Sequence, residues 1–196
     1  MKQIFSFMFD QLTRYLTDRQ TIDFATLALI CSKFEVQKTR RNEILLSPGQ
    51  ICQHYYFVNK GCLRLFTINK EGIEGTRYFA FEGAFGTALP SLIDQQPAFE
   101  YVQTIEPAEL LVISRTDFYW LVDNVPAFGA IYRAILEIAF ISAQKRIYGF
   151  QGLEAIEKVR WAMASQPKLL GRVSSKLVAS YLGITPATLS RLKAQL

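Results

Sequence analysis

The chain has 196 residues, half of them apolar, 13% aromatic and 20% charged, a balance that supports packed cores and excludes a disordered chain. The net charge of +5 is localised: residues 150–196 carry seven Lys or Arg against Glu154 and Glu157, whereas residues 1–149 carry 15 bases and 15 acids. Three cysteines without a C-x-x-C pair and a single histidine exclude a disulfide framework and a His-rich metal site.

From the N-terminus, MKQIFSFMFDQ is apolar for only six residues before Asp10, too short for a secretory h-region. Residues 10–32 keep helical spacing through Leu12, Tyr15, Leu16, Ile22, Phe24 and Leu27, which predicts one or two short helices. From Phe34 the pattern changes to short β-rich runs, EILLS, YYFVN, CLRLFTI, TRYFAF, FEYVQTI and ELLVIS, separated by SPGQ, NKG, NKEG, FEGAFG and IEPAE. Many short strands at close spacing predict a closed barrel or sandwich, in which every strand finds partners.

TDFYWLVDNV then reads as a short helix capped by Thr or Asp, and Pro126 opens a long helix to about Tyr148. Arg133 and Glu137 inside the long helix argue against a membrane span. It is apolar on more than one face, which requires cover on more than one face. Two readings fit: a buried core helix, or a helix packed on its own barrel while pairing with a second copy. Gly149 and Gly152 would let the chain swivel, so the expected domains are 1–125, 126–148 and 149–196.

The last segment is all helical and ends in KLVASYLGITPATLSRLKAQL. Two helices crossing steeply through a short turn need a small residue at the crossing, a turn residue that tolerates positive φ and apolar residues facing inward. Ala179, Gly183, and the set Leu177, Val178, Leu182, Ile184, Leu189 and Leu192 meet those needs, with Thr185 as cap and Pro186 first in the second helix. A structural αα-corner has the same spacing. The corner lies, however, in the basic segment, with no acid after Glu157, which points to double-stranded DNA.

In a major groove the second helix would present Ala187, Thr188, Arg191 and Gln195, with Ser190 at the edge. Arg191 is the candidate bidentate contact to guanine. Thr185 and Thr188 would reach phosphates, and Lys176 and Lys193 would add salt-sensitive attraction. One such helix spans a few base pairs, so specificity implies a dimer.

This order of barrel, long apolar helix and helix-turn-helix resembles the Crp/Fnr family of bacterial transcription regulators. The likeness is carried by ILLSPGQICQHYYFVNKGCLRLF, with turn glycines Gly49 and Gly61, and by ASYLGITPATLSRLK, similar to the recognition unit of shorter members without a β-wing. The resemblance implies an α+β chain: an N-terminal β-roll, jelly-roll-like, with flanking helices, a long dimerisation helix and a C-terminal helix-turn-helix domain. It further implies a cytoplasmic homodimer joined through residues 126–148, with DNA and RNA polymerase as partners and no membrane.

Departures from the family pattern concern the ligand. Where cyclic AMP-binding members have Gly-Glu-Leu-Gly, this chain has Gly83, Ala84, Phe85 and Gly86; where they have Arg followed by Ser or Thr, it has Phe99, Glu100 and Tyr101. A carboxylate repels phosphate, and no arginine lies between Arg77 and Arg115, so cyclic AMP is not expected to bind in the usual manner. These residues would line a pocket for another effector or close into core. Residues 1–30 lack the cysteines of an iron-sulfur sensor, and His54 stands alone for haem. In the recognition helix, Pro186 and Ala187 stand where the family has Arg and Glu, while Arg191 matches its later Arg. No cofactor and no enzyme activity are expected, since neither a nucleophile triad nor a P-loop is present. The rival reading is a ligand-binding β-roll whose terminal helices bind a protein partner.

Overall fold

A computed structural model of the chain describes residues 2–195. They form two compact units: one runs to Leu65 and resumes at Phe79–Leu136, and the other joins Phe66–Tyr78 to the chain from Glu137 onward.

The first unit begins with α1 (Lys2–Thr17) and α2 (Phe24–Ser32), the latter capped by Asp23, whose carboxylate accepts the Thr26 amide at 2.9 Å. Strands β1 (Glu35–Thr39), β2 (Ile44–Leu46), β3 (His54–Lys60), β4 (Leu63–Ile68), β5 (Glu74–Ala80), β6 (Phe85–Gly86), β7 (Tyr101–Thr104) and β8 (Ala108–Ser114) form two four-stranded sheets, ordered β1-β8-β3-β6 and β2-β7-β4-β5. The six predicted runs correspond to β2, β3, β4, β5, β7 and β8. The sequence did not announce β1, because EVQKT lies at a sheet edge, pairs only with β8 and offers one strongly apolar residue, Val36. A short helix, α3 (Leu89–Asp94), sits between β6 and β7.

The unbroken apolar runs follow from cover on both faces. In β3, Tyr56 and Val58 point one way and Tyr55 and Phe57 the other, as strand alternation requires. Tyr55 stacks on Phe118 of α4 (Arg115–Asn124) at 3.8 Å, and Phe57 meets Tyr15 of α1 edge-on at 5.6 Å. Gly61, at φ 100°, turns β3 into β4 where a Cβ would lie 2.6 Å from that of Ala108, so only glycine fits. The cap of α4 is Ser114 rather than a Thr or Asp: its hydroxyl accepts the Asp117 amide at 3.0 Å, and the helix starts at Arg115.

The long helix, α5, spans Pro126–Gly152, four residues beyond Tyr148, and so takes Gly149 and Gly152 into its last turn. Its start packs closely on α4, where a Cβ on Gly129 would come within 2.8 Å of the Val122 carbonyl. Phe128 and Ile131 are buried there, and the Tyr132 phenol lies 3.2 Å from that of Tyr55 and 3.5 Å from that of Tyr119. Burial raises the Tyr55 phenol far above its ordinary value and pushes Tyr119 up to about 12.

In the second unit, α6 (Ala155–Ser165), α7 (Leu169–Arg172), α8 (Ser175–Leu182) and α9 (Pro186–Lys193) follow α5. The single turn of α7 lies within PKLLGRV, expected as loop; its Leu169 is fully buried.

Candidate nucleic-acid interface and effector site

The corner of α8 and α9 is fixed by local chemistry at each step. Ser174 caps α8, which ends at Gly183 with φ 66°, a left-handed conformation that also lets the Ile184 amide donate back to the Ala179 carbonyl at 3.1 Å. Thr185 caps α9: its hydroxyl accepts the Thr188 amide at 3.1 Å, and Pro186 follows where a missing N–H is harmless. Val178, Ala179, Leu182 and Leu189 are buried, while Leu177, Ile184 and Leu192 are half-buried.

Facing outward are Ala187, Ser190, Arg191 and Gln195 of the expected reading face, together with Thr185 and Lys176. Two candidates are engaged within the corner. Thr188 is half-buried, with its hydroxyl 2.8 Å from that of Thr185, and Lys193 donates to the Ser175 hydroxyl at 3.4 Å, bracing α9 on α8. The only two acids of the basic segment are absorbed at the start of α6. There the Glu154 side chain accepts the Glu157 amide while the Glu157 carboxylate accepts the Glu154 amide at 2.8 Å, a reciprocal capping box. Carboxylates at a helix N-terminus offset the positive end of its dipole.

Along α5 beyond Glu137, Ile138, Phe140, Ile141, Ile147 and Tyr148 are exposed, Phe140 by 65%. The steps 138–141–148 and 140–147 trace one stripe on a helix. By length and hydropathy α5 could span a bilayer, but it carries Arg133, Glu137, Lys145 and Arg146.

In the roll, the expected effector residues scatter. Gly83 turns at φ 81° and donates to the Val58 carbonyl at 2.9 Å, and Phe85 and Gly86 pair with Phe57 and Tyr56 as β6. The Phe85 ring packs against Tyr15, Tyr55 and Phe57, toward the helices. Phe99 is 63% exposed and Tyr101 half-buried, whereas Glu100 between them is buried at 1% exposure. The sequence reading overlooked Arg64 of β4, which is 2% exposed and the largest fully buried side chain. Its signal was an arginine inside LRLF, where flanking apolar residues mark a strand without solvent on either face.

Residues 36–125 match the cyclic nucleotide-binding domain family. No curated protein matches by sequence. Several solved structures share the fold. The c-di-GMP responsive global regulator CLP of Xanthomonas campestris aligns at TM-score 0.71 with 14% identity, over 88% of this chain and 91% of its own. The catabolite activator protein of Thermus thermophilus aligns at 0.57 with 23% identity, over 90% and 84%. A transcriptional regulator assigned to the Crp/Fnr family from Eubacterium rectale aligns at 0.67 with 15% identity, over 89% and 83%. Residues 36–125 thus match the cyclic nucleotide-binding domain, and the chain shares the fold of solved Crp/Fnr transcription regulators.

Proposed function

We propose that the chain is a cytoplasmic, homodimeric DNA-binding transcription regulator of Crp/Fnr type, without enzyme activity, that does not respond to cyclic AMP through the usual cassette. The observation that carries the reading is the α9 surface: a helix N-terminus with Arg191, Ser190, Ala187 and Gln195 turned to solvent in the chain's one basic segment. Arg191 reads a base, Lys176 and the helix N-terminal amides hold phosphates, and Lys193 and Thr188 keep the corner in shape.

Dimerisation follows from the bare stripe on α5. Five large apolar side chains exposed along one helix lose their contact with water when a second copy lays its own stripe against them. Such pairing presents two α9 helices to two half-sites. Residues 1–125, 126–148 and 149–196 then serve as sensor, coupling helix and reading head.

Against cyclic AMP stand the missing carboxylate at Gly83–Gly86 and the buried Glu100 just before β7, which would repel a phosphate. The Xanthomonas regulator, described as c-di-GMP responsive, shows that this fold is used with other inputs. The alternative, a signalling module with a protein-binding tail, draws support only from the exposed stripe and leaves the free Arg191 face without a role.

Binding of a duplex library at about 50 and about 200 mM salt tests the reading. Affinity should fall by more than about tenfold as salt rises, and Arg191→Ala should lose site preference while retaining most nonspecific binding. Absence of measurable duplex binding at low salt overturns it. Sedimentation of wild type and of Phe140→Glu with Ile141→Glu checks the dimer: wild type should sediment as a dimer and the variant as a monomer.

A further inference from the structure

The second unit joins a hairpin of the roll, Phe66–Tyr78, to the helices after Glu137, and one side chain stands at the join. Arg146 of α5 donates from one terminal nitrogen to the Arg77 carbonyl, and from the other to the carbonyls of Thr76 at 3.0 Å and Tyr181 at 2.9 Å. Thr76 and Arg77 belong to β5, which stands at the edge of its sheet. Tyr181 is in the last turn of α8, where carbonyls are left without helical donors and the dipole is negative. The guanidinium also lies over the Tyr181 ring at 4.2 Å and the Phe150 ring at 4.9 Å, while Trp161 stacks on Tyr181 and meets Phe150 edge-on. Beside this, the Thr76 and Ser180 hydroxyls lie 2.6 Å apart.

Among the described residues, the hydrogen-bond partners of Arg146 are carbonyls rather than carboxylates. An arginine keeps its charge at any ordinary pH. Burial therefore leaves it dependent on carbonyl dipoles and ring faces supplied jointly by hairpin and α8. Removing either segment returns the guanidinium toward water. The planar fork fits these acceptors only while the two segments hold one relative placement, and the reading face of α9 remains open in that placement.

We propose that Arg146 is the positioning residue of the reading head: a clamp that fixes α8 to the β4–β5 hairpin, so that the hairpin carries the state of the roll to the helix-turn-helix. The clamp engages or releases as a unit, because its three segments share one guanidinium.

Hydrogen exchange on the full-length protein tests this. In Arg146→Lys the charge stays but the fork is lost, and the amides of residues 66–78 and 177–184 should lose protection together by about tenfold, with β3 and β8 unchanged. Loss confined to α8, or unchanged exchange in both segments, overturns the clamp. A second arm decides the case should protection fall throughout the chain. The pair Thr76→Cys with Ser180→Cys should cross-link on mild oxidation, and about tenfold more slowly when combined with Arg146→Lys; equal rates, or no cross-link, overturn the proposal. Both readouts are taken without DNA, so their failure leaves the DNA-binding reading standing, and failure of that reading leaves these outcomes informative.

Discussion

The roll and the helix-turn-helix corner treat polar groups in opposite ways. In the corner, polar side chains face solvent, cap a helix or brace one helix on the other, and the buried residues are Val, Ala and Leu with Tyr181. In the roll, Arg64, Glu100, Thr39 and Thr104 are drawn inside. A buried charge is costly unless compensated, so the roll must hold its charged groups in defined arrangements. The corner's exposed Arg191 needs no internal partner and is left available for one from outside. Stored charge suits a region that keeps a fixed interior, and displayed charge suits the DNA contact proposed for the corner.

The widest test of the contrast is Arg64→Ala. It removes a fully buried arginine and should destabilise the protein by about 3 kcal/mol or more, measured by urea denaturation, whereas Arg191→Ala should stay within about 0.5 kcal/mol of wild type. Similar values for the two would break the comparison. Next comes Leu189→Ala, which empties a fully buried site of the corner and should cost about 2–4 kcal/mol. Because the corner is helical and local, the loss should appear in exchange of α8 and α9 while the roll keeps its protection.

Smaller effects sharpen the picture. Arg191→Ala should lower preference for the cognate site by about tenfold, the upper reach being about 3 kcal/mol for a bidentate base contact; competition binding against a scrambled duplex measures it. Thr185→Ala deletes the α9 cap and should cost about 1 kcal/mol, read from thermal denaturation, with Thr185→Ser restoring most of it.

The smallest effect is a pH dependence. Lys33 donates to Asp117 at 2.7 Å. That hydrogen bond, helped by the Ser114 hydroxyl, holds the Asp117 carboxyl below its ordinary value. The contribution is therefore present above the ordinary aspartate range and lost as pH falls through the lowered folded value. Since both side chains are partly exposed, it should amount to less than about 1 kcal/mol, seen as a flattening of the acid limb of the stability curve in Lys33→Met.

Much of this architecture is legible in the chain because it is written locally. Gly183, Thr185 and Pro186 determine the turn and cap of the corner through their own backbone preferences, and the apolar runs of β3, β4 and β8 mark strands covered on both faces. What escaped reading depends on distant partners. β1 has few apolar residues because its place comes from pairing with β8 about seventy residues away. Arg64 looks like a surface residue until both faces of β4 are seen to be covered, and Phe99 and Phe85, expected to share one pocket, go to solvent and to the α1 side respectively.

By itself, then, the sequence determined the succession of β-roll, long apolar helix and helix-turn-helix, the basic tail and the residues turned outward on α9, since each rests on spacing, capping and composition within one short segment. Only the tertiary structure decided the burial of Glu100 and Arg64, the engagement of Lys193 and Thr188 within the corner, and the role of Arg146. A side chain that serves two backbone segments far apart in sequence has no local signature, because its acceptors are carbonyls, which every residue carries, and only folding selects which of them it meets.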